Sequence, residues 1–127
     1  MQALEQLKKQ KYLSLETFRK NGEGVRTPVW FIEVNGEYCL NTESDSGKVK
    51  RIRRNPAVRI APCNMRGDLM GEFISGNARF LSTEEAETVK KSYAKKYGLM
   101  GVLFESMGRS RKTERVFLAI KPESTIP

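Results

Sequence analysis

The sequence contains no histidine among its 127 residues, and this absence excludes many kinds of active site. Without an imidazole there is no histidine metal ligand, no histidine general base and no Ser-His-Asp or Cys-His catalytic pair. Cysteine is scarce as well, because Cys39 and Cys63 are the only two, too few to hold zinc by themselves. We expect both to be reduced, buried thiols on strands. If the chain is an enzyme, a bound cofactor is therefore expected to carry its chemistry.

Long apolar segments are also absent. No apolar run approaches the ~20 residues that are needed to cross a bilayer. The first fifteen residues have neither the apolar core nor the small-residue cleavage site of a secretion signal. Hydrophobic residues make up 39% of the chain and charged residues 30%, as in ordinary globular proteins, and no repeat or linker divides it. We therefore expect one domain over residues 1–127, in the cytoplasm and not on a membrane.

The charge balance favours an anionic partner. Lysines and arginines number 23 against 15 acidic residues, which gives a net charge of +8. Nucleic acids and phosphorylated small molecules both fit this charge. A surface that binds single strands needs exposed aromatic side chains for base stacking, yet the densest basic run, residues 48–54, contains none. Nucleic acid is therefore the less favoured partner.

Alternating hydrophobicity and turn residues predict an antiparallel sheet. The pair Asn35-Gly36 tolerates the positive φ angles of a type I′ hairpin turn, and Gly71 and Gly76 suggest bulges or a close neighbour in a long strand. The predicted strands cover residues 12–18, 25–34, 37–42, 57–63, 69–81 and 115–120. Six strands in hairpin order with helices inserted between them indicate an antiparallel barrel of the α+β class.

Two to four short helices are predicted beside the sheet. A turn of helix fits residues 4–9, and a helix over 48–54 begins after Ser44, Asp45 or Ser46, each able to cap it. Ser82 and Glu85 form a capping box, so a helix is expected from residue 83 to 97, closed by Gly98. Residues 99–107 are expected to form a further short helix.

The segment from Ser44 to Arg54 is the first candidate site. Val49 and Ile52 can dock on the barrel, which leaves the lysines and arginines of this helix on other faces. Hydroxyl residues at a helix N-terminus, with exposed N–H groups and basic side chains one turn later, favour phosphate binding. The alternative is a solvated basic face.

The segment from Thr27 to Trp30 is the second candidate. Pro28 has no N–H to donate, so the strand must lie at an edge, contain a bulge or face something other than a strand. A planar ring could lie against such a backbone. The alternative is a plain edge strand with Trp30 in the core.

These residues resemble the split-barrel flavin and deazaflavin oxidoreductases, the family that includes pyridoxamine 5′-phosphate oxidase. The resemblance rests on Thr27-Pro28-Val29-Trp30, Asn35-Gly36, Thr42 and the run SGKVKRIRRNPAVRIAPC from Ser46 to Cys63. It extends from Leu13 to Ile120. The chain is most similar to the small branch that uses coenzyme F-420, an 8-hydroxy-5-deazaflavin.

The resemblance implies a homodimer of six-stranded split barrels with Greek-key connections and two cofactor sites at the interface. The cofactor would be flavin mononucleotide (FMN) or coenzyme F-420. The matched phosphate-binding positions are Thr42, Ser46, Lys48, Lys50 and Arg51. The matched ring-lining positions are Thr27, Pro28, Val29 and Trp30.

The implied activity is hydride transfer between the cofactor and a small-molecule substrate, with a carrier or sensor without turnover as the alternative. A proton could come from solvent, Tyr38 or Tyr97. Oxidation of pyridoxamine phosphate itself is not expected, because the residues that bind it are not identifiable and the histidine used there is missing. Haem binding is less favoured without histidine, although other axial ligands exist. A second basic group, Arg109, Arg111 and Lys112, is either solvated or able to reach an anionic ligand across a subunit boundary.

Overall fold

A computed structural model describes Leu7, residues 10–110 and residues 115–123 of the chain. Side chains are described for all of these residues except residues 97–110. This part of the chain forms seven strands and two helices. In chain order the elements are β1 Tyr12–Phe18, β2 Gly24–Trp30, β3 Ile32–Val34, β4 Glu37–Glu43, α1 Gly47–Arg54, β5 Ala57–Cys63, β6 Ile74–Phe80, α2 Thr83–Ser110 and β7 Arg115–Pro122.

The seven strands form one antiparallel sheet in the order β2-β1-β5-β6-β7-β4-β3. Strands β1 and β5 are neighbours although they are distant in sequence, and so are β4 and β7, as Greek-key connections require. The sheet curls, because β2 at one edge contacts β4 beside the other edge. The predicted α+β split-barrel class is confirmed.

Apolar side chains fill the curled sheet and also cover part of its outer face. The interior cluster is Leu13, Leu15, Leu40, Ile52, Ile60, Leu118 and their neighbours, with Ile52 supplied by α1 across one end. A second cluster under α2 consists of Ile32, Cys39, Val89, Tyr93, Phe117 and Ala119. Because successive side chains of a strand point to opposite faces, β1, β4, β5 and β7 bury residues on both faces, and β3 and β6 on one. The edge strand β2 has no fully buried residue.

The predicted strand over residues 25–34 is wrong in one respect, because the structure divides it at Phe31. Strand β2 pairs with β1, whereas β3 pairs with β4, so the chain passes from one edge of the curled sheet to the other between them. Phe31 lies at this crossing and is 1% exposed. The sheet consequently has seven strands instead of the expected six.

The predicted strand over residues 69–81 is correct only in its second half. Strand β6 begins at Ile74, and Leu69 makes a single bridge to Cys63. The expected close neighbour of Gly76 is present, since a Cβ built there would lie 2.9 Å from the Lys121 carbonyl oxygen. Gly71 lies in the loop before β6, outside any strand.

Gly98 does not end the second helix, contrary to the prediction. Helix α2 continues without interruption from Thr83 to Ser110 and includes the residues expected to form a separate helix. A glycine inside a helix costs about 1 kcal/mol relative to alanine but does not force a left-handed conformation, so its presence alone could not decide the boundary. Of the predicted N-terminal helix, only Leu7 lies within the described residues, where it is helical and buried.

Both helix starts are as predicted. Ser46 caps α1, and Ser82 and Glu85 exchange hydrogen bonds at the start of α2, with Ser82 N donating to Glu85 Oε1 at 3.0 Å and Glu85 N to Ser82 Oγ at 3.2 Å. The cysteines are free and buried, and burial raises the pKa of each thiol to about 11. Within the described residues, no helix is both long and apolar enough to span a membrane.

Candidate anion-binding site

Two hydroxyl groups mark one end of the barrel, where β4 finishes and α1 starts. The backbone of Ser46 is extended (φ −68°, ψ 157°), and its Oγ accepts a hydrogen bond from Val49 N at 3.4 Å. Thr42 Oγ1 lies 3.5 Å from Ser46 Oγ. Within an α-helix the N–H groups of the first turn lack helical acceptors, so those of Gly47 and Lys48 are available to a ligand.

Lys48, the second residue of α1, is half-buried. Burial lowers the pKa of its ammonium group, and the positive charges of Arg51 and Arg115 lower it further, while Glu43 opposes them. The cations therefore outnumber the nearby carboxylate. An anion bound among them would relieve their mutual repulsion.

Arg51 is held rigidly beside the start of α1. Its Nε donates to Thr17 Oγ1 of β1 at 2.6 Å. Its guanidinium also lies over Gly47, because a Cβ at that position would be 2.9 Å from Arg51 Nη1. A glycine at this position therefore lets the guanidinium approach the helix N-terminus, where the positive end of the helix dipole also lies.

Arg115 belongs to this cluster and was not predicted from the sequence. It is paired in register with Glu43 at the start of β7, and its Nε donates to Asn41 Oδ1 at 2.8 Å. The strand order β7-β4 brings it beside Lys48. The sequence shows only that Arg115 is a basic residue at the start of β7. This position becomes informative once β7 is known to pair antiparallel with β4, the strand that ends at the predicted site.

The predicted pair Lys48 and Lys50 is not brought together. Residues three apart on a helix share a face, so Lys48 and Arg51 lie on one side of α1, whereas Lys50 is exposed on another. Arg53 stacks on Phe80 at 4.8 Å, and Arg54 Nη2 donates to the Phe18 carbonyl oxygen at 3.0 Å. The role of Lys50 in phosphate binding stays a prediction.

The segment Thr27, Pro28, Val29 and Trp30 lies on β2, an edge strand, as Pro28 requires. Thr27 and Val29 are half-buried, and Val29 packs against the barrel interior. Trp30 contacts Tyr12 edge to face at 6.0 Å and packs against the cluster under α2, so its side chain serves the core. Pro28 is the exposed residue of the segment, and Thr27 is half-buried, so the ring-lining candidates that remain accessible are these two residues and the backbone of the strand.

The remaining candidates add little to this site. Tyr38 is 2% exposed and packs edge to face on Phe31 in the barrel interior, and burial raises the pKa of its hydroxyl. The side chains of Tyr97 and Arg109 lie outside the described residues, as do Arg111 and Lys112 entirely. Within the described residues, no cluster of three or more His, Cys, Asp or Glu side chains could hold a metal ion.

A curled antiparallel sheet with a cation-rich helix start at one end defines this protein as a split barrel. The chain belongs to the pyridoxamine 5′-phosphate oxidase family, whose model matches residues 1–126. No curated protein matches the sequence significantly.

Several solved structures share the fold at low sequence identity. The heme storage protein HutZ of Vibrio cholerae has a TM-score of 0.73 at 15% identity, covering 97% of this chain and 89% of HutZ. An FAD-binding protein of Mesorhizobium loti has a TM-score of 0.65 at 14% identity, covering 97% and 87%. An F-420 reductase has a TM-score of 0.57 at 14% identity, covering 94% and 93%.

Proposed function

We propose that the chain is an oxidoreductase that binds FMN or coenzyme F-420 and transfers hydride between this cofactor and a small-molecule substrate. The observation that supports this function is the cluster of Lys48, Arg51 and Arg115 at the hydroxyl-capped start of α1. The family includes phosphate-binding oxidoreductases, and a structural neighbour is an F-420 reductase.

The donor groups of the site fit a phosphate. Arg51 offers a planar guanidinium that can donate two parallel hydrogen bonds, and Lys48 offers a point charge. Thr42 and Ser46 add hydroxyl donors, and the first turn of α1 adds N–H groups. Because the hydrogen bond to Thr17 holds Arg51 in place, and Gly47 leaves room for its guanidinium, little side-chain freedom is lost on binding.

The ring of the cofactor would lie along the edge strand β2. Strand β2 contacts β4, the strand whose end carries Thr42, so a ligand at the start of α1 can extend along β2. The edge position leaves backbone groups of this strand without a second strand partner, and these can meet polar atoms of a ring. Thr27 contributes its hydroxyl, and Val29 supports the strand from the barrel interior.

In this proposal the protein binds and orients the cofactor, and the cofactor supplies the chemical reactivity. When bound, its ring gives or takes a hydride, which is two electrons with one proton, while a further proton is exchanged with solvent. The phosphate contacts at the start of α1 would fix how far the cofactor extends along β2. Strand β2 would cover one face of its ring. The opposite face is left for the substrate.

We infer a homodimer in which the second subunit completes each cofactor site. The loop between β5 and β6 lies beside the edge strand, with a Cβ at Gly67 placed 3.7 Å from Pro28 Cγ. This loop exposes three large apolar side chains, Met65 at 70%, Leu69 at 45% and Met70 at 48%. Such exposure next to a sheet edge favours coverage by another subunit.

A carrier or storage role is the second candidate function. It is favoured by one observation, that a structural neighbour of similar length, HutZ, is a heme storage protein. A carrier would hold its ligand at the same site but would not exchange hydride with an acceptor.

Titration of the purified protein with FMN and with coenzyme F-420, followed by fluorescence, tests the proposal. We expect one of the two to bind tightly, and the bound, reduced cofactor to pass hydride to an acceptor in a steady-state assay. Tight binding without turnover for any acceptor class would favour the carrier, and binding of neither cofactor would contradict both the oxidoreductase and a carrier of these two cofactors.

A further inference from the structure

A cavity of about 420 Å³ lies on the other flank of α1, between the end of β6, the start of β7 and the start of α2. Its volume is in the range of pockets that hold small molecules. Arg53 of α1 and Phe80 of β6 form one side, and Phe117 of β7 lies in the same lining. The described part of the lining contains no residue of strand β2, the candidate ring-lining strand.

The charge of the cavity is positive. Among the described residues that line it, Arg53, Lys90 and Arg115 are cations and Glu87 is an acid. Glu87 is already paired with Lys90 at 3.4 Å, so the two arginines determine the remaining charge.

The cavity also offers a stacking surface. Phe80 is one of the exposed large hydrophobic side chains of the described chain, at 36%, and the Arg53 guanidinium stacks on it at 4.8 Å. Planar bases stack on aromatic rings and on guanidinium planes in proteins. The hydroxyls of Ser82 and Thr83 in the same lining can meet polar edges of a sugar or a base.

Arg115 connects this cavity with the anion site described above. It lines the cavity, and its charge also acts on Lys48 at the start of α1. A ligand with one phosphate at Lys48 could therefore continue past Arg115 into the cavity.

We propose that this cavity binds an adenine nucleotide, with the base stacked on the exposed guanidinium of Arg53, which Phe80 supports from its other side, and with the phosphate on Arg115. The nucleotide has two possible sources, which share this chemistry. It is either a free nucleotide or the adenylate half of a dinucleotide flavin whose other half occupies the site at Lys48. The second source rests on the proposed function, whereas the cavity itself does not.

Calorimetric titration with adenosine monophosphate, FMN and flavin adenine dinucleotide tests this proposal. Adenosine monophosphate is expected to bind the unmodified protein, and Phe80→Ala and Arg53→Ala are each expected to weaken it by roughly tenfold, the scale of one lost stacking contact. Thermal melting of each variant establishes that it is folded.

Two matched variants serve as controls. Phe73→Ala removes another phenylalanine that stacks with arginines, Arg26 and Arg59, outside the cavity. Arg66→Ala removes an arginine whose side chain is 81% exposed in the loop after β5. Neither should change the affinity for adenosine monophosphate.

The arms of the titration separate the possible results. If the dinucleotide binds about tenfold more tightly than FMN and loses that advantage in Phe80→Ala, the cavity holds the adenylate half. If adenosine monophosphate binds in the cavity but the two flavins bind equally, the nucleotide is a free ligand. If FMN and the dinucleotide bind equally and adenosine monophosphate shows no loss in either variant, the proposal is wrong while the proposed function stands. If adenosine monophosphate binds and neither FMN nor coenzyme F-420 does, the cavity stands and the proposed function fails.

Discussion

The carboxylate of Glu16 is buried on the outer face of the sheet and is held by two arginines. Arg59 Nε donates to one oxygen at 2.5 Å and Arg26 Nε to the other at 3.1 Å. Burial alone raises the pKa of this carboxyl group, but the hydrogen bonds from Arg59 and Arg26 outweigh it, so the pKa lies below its usual 4.5. Phe73 stacks on both guanidinium groups and closes the cluster from outside.

Acid should unfold the protein partly through such carboxylates. Hydrogen bonds from Arg79 lower the pKa of Glu37 and that of Glu85, the latter to about 2. A lowered folded pKa gives stability that is present above the unfolded value and lost as pH falls through the folded value. Urea unfolding should therefore give a lower free energy of unfolding at about pH 3 than at about pH 7, and an unchanged value would contradict this assignment.

The substitution Glu16→Gln measures how much the buried carboxylate of Glu16 contributes to stability, apart from the exposed carboxylates. It leaves Arg26 and Arg59 without their anion, so we expect a loss of about 2 kcal/mol in the free energy of unfolding at neutral pH. The decline towards acid pH should also be shallower. Glu72→Gln, at an exposed position, should change stability by less than about 0.5 kcal/mol. Equal effects of the two substitutions would show that the cluster around Glu16 contributes nothing specific.

At the anion site, the residues that are close together in sequence could be predicted, whereas those that come close only in the folded chain could not. Ser46, Lys48 and Arg51 could be identified because hydroxyl and basic residues surround one predicted helix N-terminus, and because the resemblance matches these positions to phosphate-binding residues. Arg115 could not, because its proximity depends on β7 pairing with β4, a contact between distant parts of the chain. The core role of Trp30 likewise depends on where α2 packs.

At the scale of elements, local signals predicted the Asn35-Gly36 turn and the caps at both helix starts, but not the end of α2. Asn35 and Gly36 have φ angles of 52° and 82°, as the type I′ turn requires, and β1 and β5 have the predicted bounds. The division of β2 from β3 could not be predicted, because each segment pairs with a different edge of the sheet while its local sequence remains strand-like. Tertiary pairing therefore decided this boundary.

Gly76→Ala tests the packing between β6 and β7. The added Cβ would meet the Lys121 carbonyl oxygen at 2.9 Å and Ile120 Cγ2 at 3.1 Å, and the backbone of β7 cannot move away without disturbing its pairing. We expect a loss of about 1 to 3 kcal/mol in the free energy of unfolding, measured with urea. Ser75→Ala, at the exposed neighbouring position, is the control. A stability equal to that of the control would show that the two strands adjust freely.

At the scale of the whole molecule, the curled sheet leaves its edge strand β2 and the apolar loop after β5 on one side. This arrangement is the basis for the proposed dimer, since both features favour coverage by another subunit. It also explains why a single subunit would hold the phosphate end of a cofactor more completely than its ring.

Leu69→Glu tests the dimer. Sedimentation of the unmodified protein should give twice the mass of one chain, and a charge in the apolar loop should shift it towards the monomer. If the second subunit completes the site as proposed, the affinity for the bound cofactor should fall as well. Lys91→Glu, at an exposed position on α2, should leave both unchanged. A monomeric unmodified protein with full cofactor affinity would contradict the dimer.

The start of α1 is proposed to hold the anionic end of the cofactor. The affinity of the Lys48→Ala variant for FMN and coenzyme F-420 tests this proposal, and Lys50→Ala is its matched control. Both substitutions remove one positive charge from the same helix, but Lys48 is half-buried and close to the charges of Arg51 and Arg115, whereas Lys50 is exposed. We expect Lys48→Ala to weaken binding of the preferred cofactor by about tenfold or more, and Lys50→Ala by less than about threefold. Equal losses would show that net charge alone attracts the ligand, and no loss in Lys48→Ala would show that the phosphate binds elsewhere.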